Sequence, residues 1–363
     1  MAAMNRREFL KASVGTAIIL RTPCLFASCV HENAVQEPSQ KISAQVAAIR
    51  GDNLGSMTRD AIGALGGIKT VINKGERVFI KPNFVSFPWA QYNNCFRIGE
   101  CTKPEIVIAV TEECLKAGAS EVIIGEGSHL PTFDWQYAIT LDGSTNLVHE
   151  AERLTSLYDG KVTLACLETD SPAWVEVPSE TSLGSIAISS LVANADKVIS
   201  IPVAKTHSWA QLTLASKNFI GITPLSRYAQ LIDNTWWNRG TFDHSSPQAI
   251  AQVYLDIVKS IKPDLSIIDF SIGIEGDGPT TNLGGTTLNM KDRLGSWAII
   301  ASTDIMAADA TAARIMSHST SEVKHLTMGF DMGLGEIREQ AIEVLGEKLD
   351  NLRVTWKPAT LKG

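Results

Sequence analysis

In this sequence lysine, histidine, asparagine and acidic residues stand directly after short apolar runs. Val78-Phe79-Ile80 leads into Lys81-Pro82-Asn83, and Val122-Ile123-Ile124 into Gly125-Glu126-Gly127-Ser128-His129. Val198 to Ile201 is followed by Lys205-Thr206-His207. Leu265 to Ile268 is followed by Asp269 and then Glu275-Gly276-Asp277-Gly278-Pro279, and Trp297 to Ile300 by Thr303-Asp304. Lys205 and Lys217 could hold a phosphate or carboxylate, and His207 could serve as acid or base. Asp269, Glu275, Asp277 and Asp309 carry oxygen donors of the kind that hold magnesium or calcium. Asn83, Glu126, Asn218, Gly276 and Gly278 would line the substrate, the glycines because backbone without a Cβ can approach it closely. On this reading Lys205, His207, Lys217 and Asp269 are the candidate catalytic residues. A divalent metal would help to polarise an anionic small molecule.

Each motif also has a plainer explanation, since loops are polar in any case. Asp304 at a helix start is explained by capping alone. Asp309 lies in the small, apolar stretch Ile305 to Ala313, where a carboxylate must be paired, hydrogen-bonded or metal-bound. An internal ion pair, for instance with Arg314, would account for it. Lys217-Asn218 sits in the apolar stretch Leu212 to Ile222, so its amine either reaches an anion or extends to water. His244 is a lone histidine and reads as structural. Gly125-Glu126-Gly127 lacks the third glycine of a dinucleotide fingerprint, and no P-loop, nucleophile elbow or H-E-x-x-H motif occurs.

The apolar runs alternate with helical patterns, which predicts a single α/β domain over residues 41–363. Its expected architecture is three-layer αβα, with a mostly parallel sheet covered by helices on both faces. Helices are predicted over Pro104 to Ala117, Asn146 to Leu157, Ser246 to Lys262, Thr303 to Met316 and Glu336 to Leu349. Leu352 to Trp356 is predicted as a last strand. Pro224 to Ser245 has no period and reads as a long loop or lid carrying Trp236-Trp237. In a parallel sheet the residues just past the strand ends share one edge, where such sheets bind ligands. All the polar motifs above are therefore expected in one cleft.

The chain is 44% hydrophobic and 20% charged, with a net charge of -7, and no block of lysine or arginine forms a stripe. Nucleic-acid binding is therefore not expected. Asn5-Arg6-Arg7-Glu8-Phe9-Leu10-Lys11 followed by apolar Ala12 to Leu20 has the plan of a signal peptide. Its paired arginines resemble a twin-arginine signal, read over residues 1–29 with a flexible tether over 30–40. The expected partner is the twin-arginine translocation machinery, and the expected place is periplasmic or otherwise extracytoplasmic. Leu25-Phe26-Ala27-Ser28-Cys29 permits two readings, a lipid on Cys29 or simple cleavage. Membrane contact is expected only through the signal or that lipid. Of the six cysteines, Cys95 and Cys101 could bridge across a short loop, while Cys114 and Cys166 read as buried thiols. No C-x-x-C pair occurs, so no iron–sulfur cluster motif is present.

The stations Lys81-Pro82-Asn83, Thr102-Lys103-Pro104, Ala117-Gly118-Ala119, Gly125-Glu126-Gly127, Lys205-Thr206-His207 and Ser216-Lys217-Asn218 occur in that order. Gly221, Glu275-Gly276-Asp277-Gly278-Pro279, Thr303-Asp304 with Asp309, and Gly333-Leu334-Gly335 complete the set. In this combination the chain resembles the domain of unknown function 362 family from about residue 45 to 350. The resemblance brings no reaction with it. Many relatives carry a ferredoxin-like segment with cluster ligands, a feature not carried over here. Two functional readings stand: an exported, metal-assisted enzyme acting on an anionic small molecule, or an exported protein that binds a ligand or cofactor without chemistry.

Overall fold

The computed structural model describes residues 42–86, 94–232, 234 and 236–362, with the backbone alone at 236. The leader, the tether and Cys29 lie outside the described residues. The chain forms β1 (Ala44–Gly51), β2 (Arg77–Pro82), β3 (Glu121–Glu126), β4 (Lys161–Cys166), β5 (Trp174–Pro178), β6 (Ser185–Ser189), β7 (Lys197–Ile201), β8 (Val203–His207) and β9 (Gln211–Thr213). It continues through β10 (Gln230–Ile232), β11 (Trp236–Asn238), β12 (Leu265–Gly276), β13 (Gly285–Asn289), β14 (Trp297–Ser302) and β15 (Ile342–Gly346). The longer helices are α1 (Leu54–Ala64), α2 (Pro104–Lys116), α3 (Leu147–Leu157), α4 (Pro247–Ile261), α5 (Ile305–Ile315) and α6 (Lys324–Asp331).

The main sheet runs in the order β15-β1-β14-β12-β7-β2-β3-β4. Among the described strands of this path β14 alone runs against the others. Side chains alternate across a strand with period two, and the burial follows that rule. Val78 and Ile80 of β2 join one core while Phe79 joins the other; Val122 and Ile124 of β3 part from Ile123 in the same way. Residues of α1, α2 and α3 fill the first core, and residues of α4, α5 and α6 the second. The mostly parallel three-layer αβα architecture is thus present.

The helix starts explain themselves locally. Ser246 accepts from the Ala249 amide at 3.1 Å with Pro247 at the first helical position, and α4 ends at Lys262 with φ 45°. Asp304 accepts from the Ala307 amide at 2.9 Å and starts α5, every residue of which is buried. Lys103 is the residue before α2, with Pro104 at the first helical position.

Several expectations are corrected. Glu336 to Leu349 is not a helix: Ile342 to Gly346 pairs in parallel with β1 and forms the sheet edge. The branched residues Ile342 and Val344 suit a strand that buries one face. Leu352 to Trp356 does not form a strand: Leu352 closes a 3-10 turn, and the segment after it lies against the end of α5, with the Val354 amide 2.8 Å from the Ile315 carbonyl. Pro202 separates two strands after Ile201, so β7 ends and β8 turns to pair with β12 and β9. Pro224 to Ser245 holds the β10–β11 hairpin rather than an irregular lid. The Trp237 amide of that hairpin donates to the His129 carbonyl at 2.9 Å.

Candidate functional site

The strand order reverses direction between β2 and β7. From β2 the chain moves through β3 to β4 on one side; β7 and β12 build the other. The carboxyl ends of β2 and β7 therefore flank a topological switch point, the usual place for a ligand in such sheets. Lys81, at the end of β2, donates to Glu126 Oε1 at 2.7 Å and to the Pro82 carbonyl at 2.7 Å. Glu126 also accepts from the amides of Phe84 at 2.6 Å and Gly127 at 2.9 Å. Both side chains are buried. Burial pushes the Lys81 amine below its ordinary value despite the Glu126 charge beside it. A Cβ on Gly221 would meet Glu126 Oε1 at 2.7 Å and Lys81 Nζ at 2.9 Å, so the pair needs glycine there.

A second buried pair lies behind the first. Lys103 Nζ is 3.3 Å from Asp269 Oδ2, and the Lys103 amide donates to the same oxygen at 3.1 Å. Asp269 Oδ1 accepts from the Ser271 amide at 2.8 Å and from its hydroxyl. Thr102 bridges the switch point by donating to the Ile201 carbonyl at 2.7 Å and accepting from the Asn83 amide at 3.2 Å. Asn83 Oδ1 is buried without a partner among the described residues. Lys205 on β8 is fully buried and donates to the Glu100 carbonyl at 2.6 Å. Burial holds its pKa at about 8, with Cys101 and Glu100 opposing the shift. Cys95 and Cys101 are buried free thiols that adjoin each other, and the Cys101 amide donates to the Cys95 carbonyl at 3.1 Å.

Lys217, in contrast, has no hydrogen bond or ion pair to any described residue, and no carboxylate is among the charges that act on it. Burial, then Lys205 and Arg239, bring its pKa down to about 7. His207 is held well below the ordinary histidine value by burial, then by Lys217 and Lys205, and so is neutral. Its Nδ1 accepts from the amides of Trp209 at 3.1 Å and Ala210 at 3.2 Å. The ring proton therefore sits on Nε2, which has no partner among the described residues. His129 feels Arg239, Lys205 and Lys217, and His207 feels His244. These mutual influences put the lysines, Arg239 and the three histidines in one neighbourhood. Asn218 anchors it, donating to the Lys81 carbonyl at 2.7 Å and to Ser200 Oγ at 3.2 Å.

The other expected members are elsewhere. Glu275 pairs with Arg293 and accepts from the Lys357 amide at 2.8 Å, and Asp277 accepts from the Thr360 amide at 2.6 Å. Both serve to fasten the C-terminal ribbon. Asp309 accepts from the Ala215 amide at 2.7 Å and the Ser216 amide at 3.0 Å, with His325 Nε2 at 3.4 Å. The basic side chain beside it is thus His325, while Arg314 pairs with Glu339. Asp304 lies at the opposite edge, because β14 is reversed and Ser302 pairs with Ser266 at the start of β12. Gly276 and Gly278 do not line the candidate site. Their backbone packs on β8, where the Gly276 carbonyl accepts from Thr206 Oγ1 at 2.7 Å. A Cβ on Gly278 would collide with the Thr206 carbonyl.

The expected metal set of Asp269, Glu275, Asp277 and Asp309 does not fit a shared ion. Each carboxylate is committed to different donors, and no group of three or more His, Cys, Asp or Glu residues suited to a metal occurs among the described residues.

The profile of the family called Domain of unknown function (DUF362) matches residues 78–314, which holds every residue of this neighbourhood. The chain belongs to that family. A curated relative, the thylakoid-associated protein sll1697 of Synechocystis, is 27% identical over 222 residues, covering 61% of this chain. The chain spans 60% of that relative's length. A solved Thermotoga maritima structure has a TM-score of 0.42 at 14% identity, covering 74% of this chain and 60% of the other. The lactate racemase apoprotein of Thermoanaerobacterium thermosaccharolyticum has 0.38 at 13%, covering 80% and 60%. Likenesses of this degree carry no functional argument.

In this DUF362 chain, sequence reasoning overlooked Lys103 and Arg239. Arg239 is buried and donates to the carbonyls of Gly127 and Thr223 and to Thr223 Oγ1 at 2.9 Å. It sits in a stretch without period, where nothing marks it as buried. Lys103 had a signal: it directly precedes a proline that starts a helix and follows two residues from a buried cysteine.

Proposed function

We propose that this protein binds an anionic small molecule beside the β2–β7 switch point, with Lys217 and the Nε2–H of His207 as the donors that receive it. One observation carries the reading. Lys81 and Lys103 each have a carboxylate and Lys205 a carbonyl, whereas Lys217 has none of these. Positive charge without a partner among the described residues, beside a neutral N–H donor, favours an anion, because a partly desolvated charge is stabilised when something pairs with it. Asn218 and Asn83 stand at the same edge and would line the ligand; Asn83 Oδ1 would accept from it. Catalysis by His207 and Lys217 is compatible with this arrangement, and ligand holding without chemistry is the second reading. Lys205, Asp269 and Glu126 take positioning roles.

The test is calorimetric titration of the purified protein with inorganic phosphate and with small mono- and dicarboxylates. Binding of at least one anion is expected, with a loss of tenfold or more in Lys217→Met and in His207→Ala. Unchanged affinity in both variants would contradict the proposal. The leader belongs to the same reading: the protein reaches its anion after twin-arginine export. Changing Arg6 and Arg7 together to lysine is expected to retain precursor in the cytoplasm. Normal export of that variant would refute it.

A further inference from the structure

Cys95 and Cys101 are the two ends of a segment that closes on itself. The Cys95 carbonyl accepts from the Glu100 amide at 2.9 Å and from the Cys101 amide at 3.1 Å. The covalent bonds and the 3.1 Å contact that join the two Cα atoms along that path sum to about 7 Å at most, the reach of a disulfide. The two thiols are buried and adjoin each other, close enough for a hydrogen bond between them. The residues between them are already fixed. Gly99 has φ 90° and its backbone packs on Gly273, the Ile98 carbonyl accepts from Thr287 Oγ1 at 2.8 Å, and Arg97 donates to the Leu141 carbonyl at 2.6 Å. A bond between the sulfurs therefore needs little movement of the backbone. Cys114 and Cys166 are placed differently: the first lies inside α2, and the second donates to the Phe133 carbonyl at 3.5 Å.

What the segment carries gives such a bond a consequence. Lys205 donates to the Glu100 carbonyl at 2.6 Å and Lys103 Nζ to the Cys101 carbonyl at 3.3 Å. Thr102, the next residue, bridges to the Ile201 carbonyl at 2.7 Å, and Glu100 Oε1 accepts from the Thr281 amide at 3.0 Å. We propose that Cys95 and Cys101 are a redox pair whose reversible disulfide braces the 95–103 segment, and with it the two lysine amines held there. The oxidant is a small-molecule disulfide such as oxidised glutathione. One cysteine thiolate attacks it and releases a reduced glutathione; the other then attacks the mixed disulfide and releases the second. The two protein thiols lose two electrons and two protons, which the two glutathione thiols take up. Burial pushes the Cys95 thiol well above its ordinary value, so exchange is slow and the pair is read at equilibrium. The inference is independent of the anion-binding reading.

The full-length protein is equilibrated with glutathione mixtures from fully reduced to fully oxidised. Free thiols are then blocked with N-ethylmaleimide in denaturant, and bridges are located by peptide mass analysis. A Cys95–Cys101 bridge that forms in the oxidising mixtures and reopens in the reducing ones is the expected result. It should bring a higher urea midpoint and slower amide exchange over residues 95–103. Thiols that stay open to N-ethylmaleimide in every mixture would overturn the proposal, as would separate glutathione adducts or bridges to other cysteines. A bridge that forms with midpoint and exchange unchanged would overturn the bracing role. In Cys101→Ala the oxidising mixtures should not raise the midpoint, and a rise equal to that of wild type would also overturn it. Locating the bridge in the wild type keeps the test valid even where the variant folds poorly.

Discussion

Two sets of lysines share the carboxyl edge of the sheet and differ in what faces them. Lys81 and Lys103 are buried against Glu126 and Asp269, whose remaining oxygens are filled by backbone amides and a serine. Lys217 and its neighbour His207 face only cations and neutral donors. The first set is a closed network that fixes β2, β3 and the 101–103 segment in relation to each other. The second is open, and its charge has no counter-charge among the described residues. Pairing therefore separates the residues that build the edge from those proposed to receive a ligand, although residue type alone puts them in one class.

The comparison can be broken from its closed side. Lys81→Met leaves Glu126 buried beside two backbone amides but without its counter-charge. A loss of about 3–5 kcal/mol is expected for a buried pair broken on one side, measured as a shift in the urea midpoint. A smaller effect is expected for Asp309→Asn, which replaces a charged acceptor of the Ala215 and Ser216 amides. The loss should be about 1–3 kcal/mol, with weaker phosphate binding because Lys217 follows those amides directly.

The open side predicts a pH dependence. Lys217 and Lys205 have folded pKa values of about 7 and about 8, below the ordinary lysine value. Between those values and the unfolded pKa the unfolded chain holds more protons. Stability contributed by these groups therefore rises as pH increases from 7 towards 10 and is flat below 7. Lys81 shifts in the same direction. Anion affinity should run the other way, falling as pH rises through 7 to 8 while the amines lose charge. Urea midpoints and phosphate titrations across that range check both signs. The smallest effect is expected for Glu275→Gln. Arg293 is 39% exposed, so the pair is worth within about 1 kcal/mol, and phosphate affinity should not change.

Much of the frame was legible because buried strands are short apolar runs and the helix starts carry Ser246-Pro247 and Asp304. Strand direction was not legible. Trp297 to Ser302 has the same alternation whether it runs with or against its neighbours, so Asp304 was assigned to the wrong edge. Ile342 to Gly346 is too short for periodicity to distinguish a strand from a helix, and only pairing with β1 decides it. Strand ends bring Glu126, Lys205 and Asn83 to one edge. What they bind there depends on contacts between residues far apart in sequence, such as Lys103 with Asp269 or Asp309 with Ser216. For that reason Asp269 and Asp309 read as metal ligands although both are internal anchors. The Glu275 and Asp277 carboxylates looked available because the ribbon that takes them up, Lys357 to Thr360, has no pattern of its own.

The central claim is that Lys217 has no counter-charge among the described residues and faces a ligand. The most direct measurement is the urea midpoint of Lys217→Met beside wild type, with and without inorganic phosphate. Without phosphate the variant should be at least as stable as wild type, since it removes an amine that has no partner among the described residues, and phosphate should stabilise wild type alone. A variant that loses stability as Lys81→Met does, or that gains from phosphate as wild type does, would contradict the account.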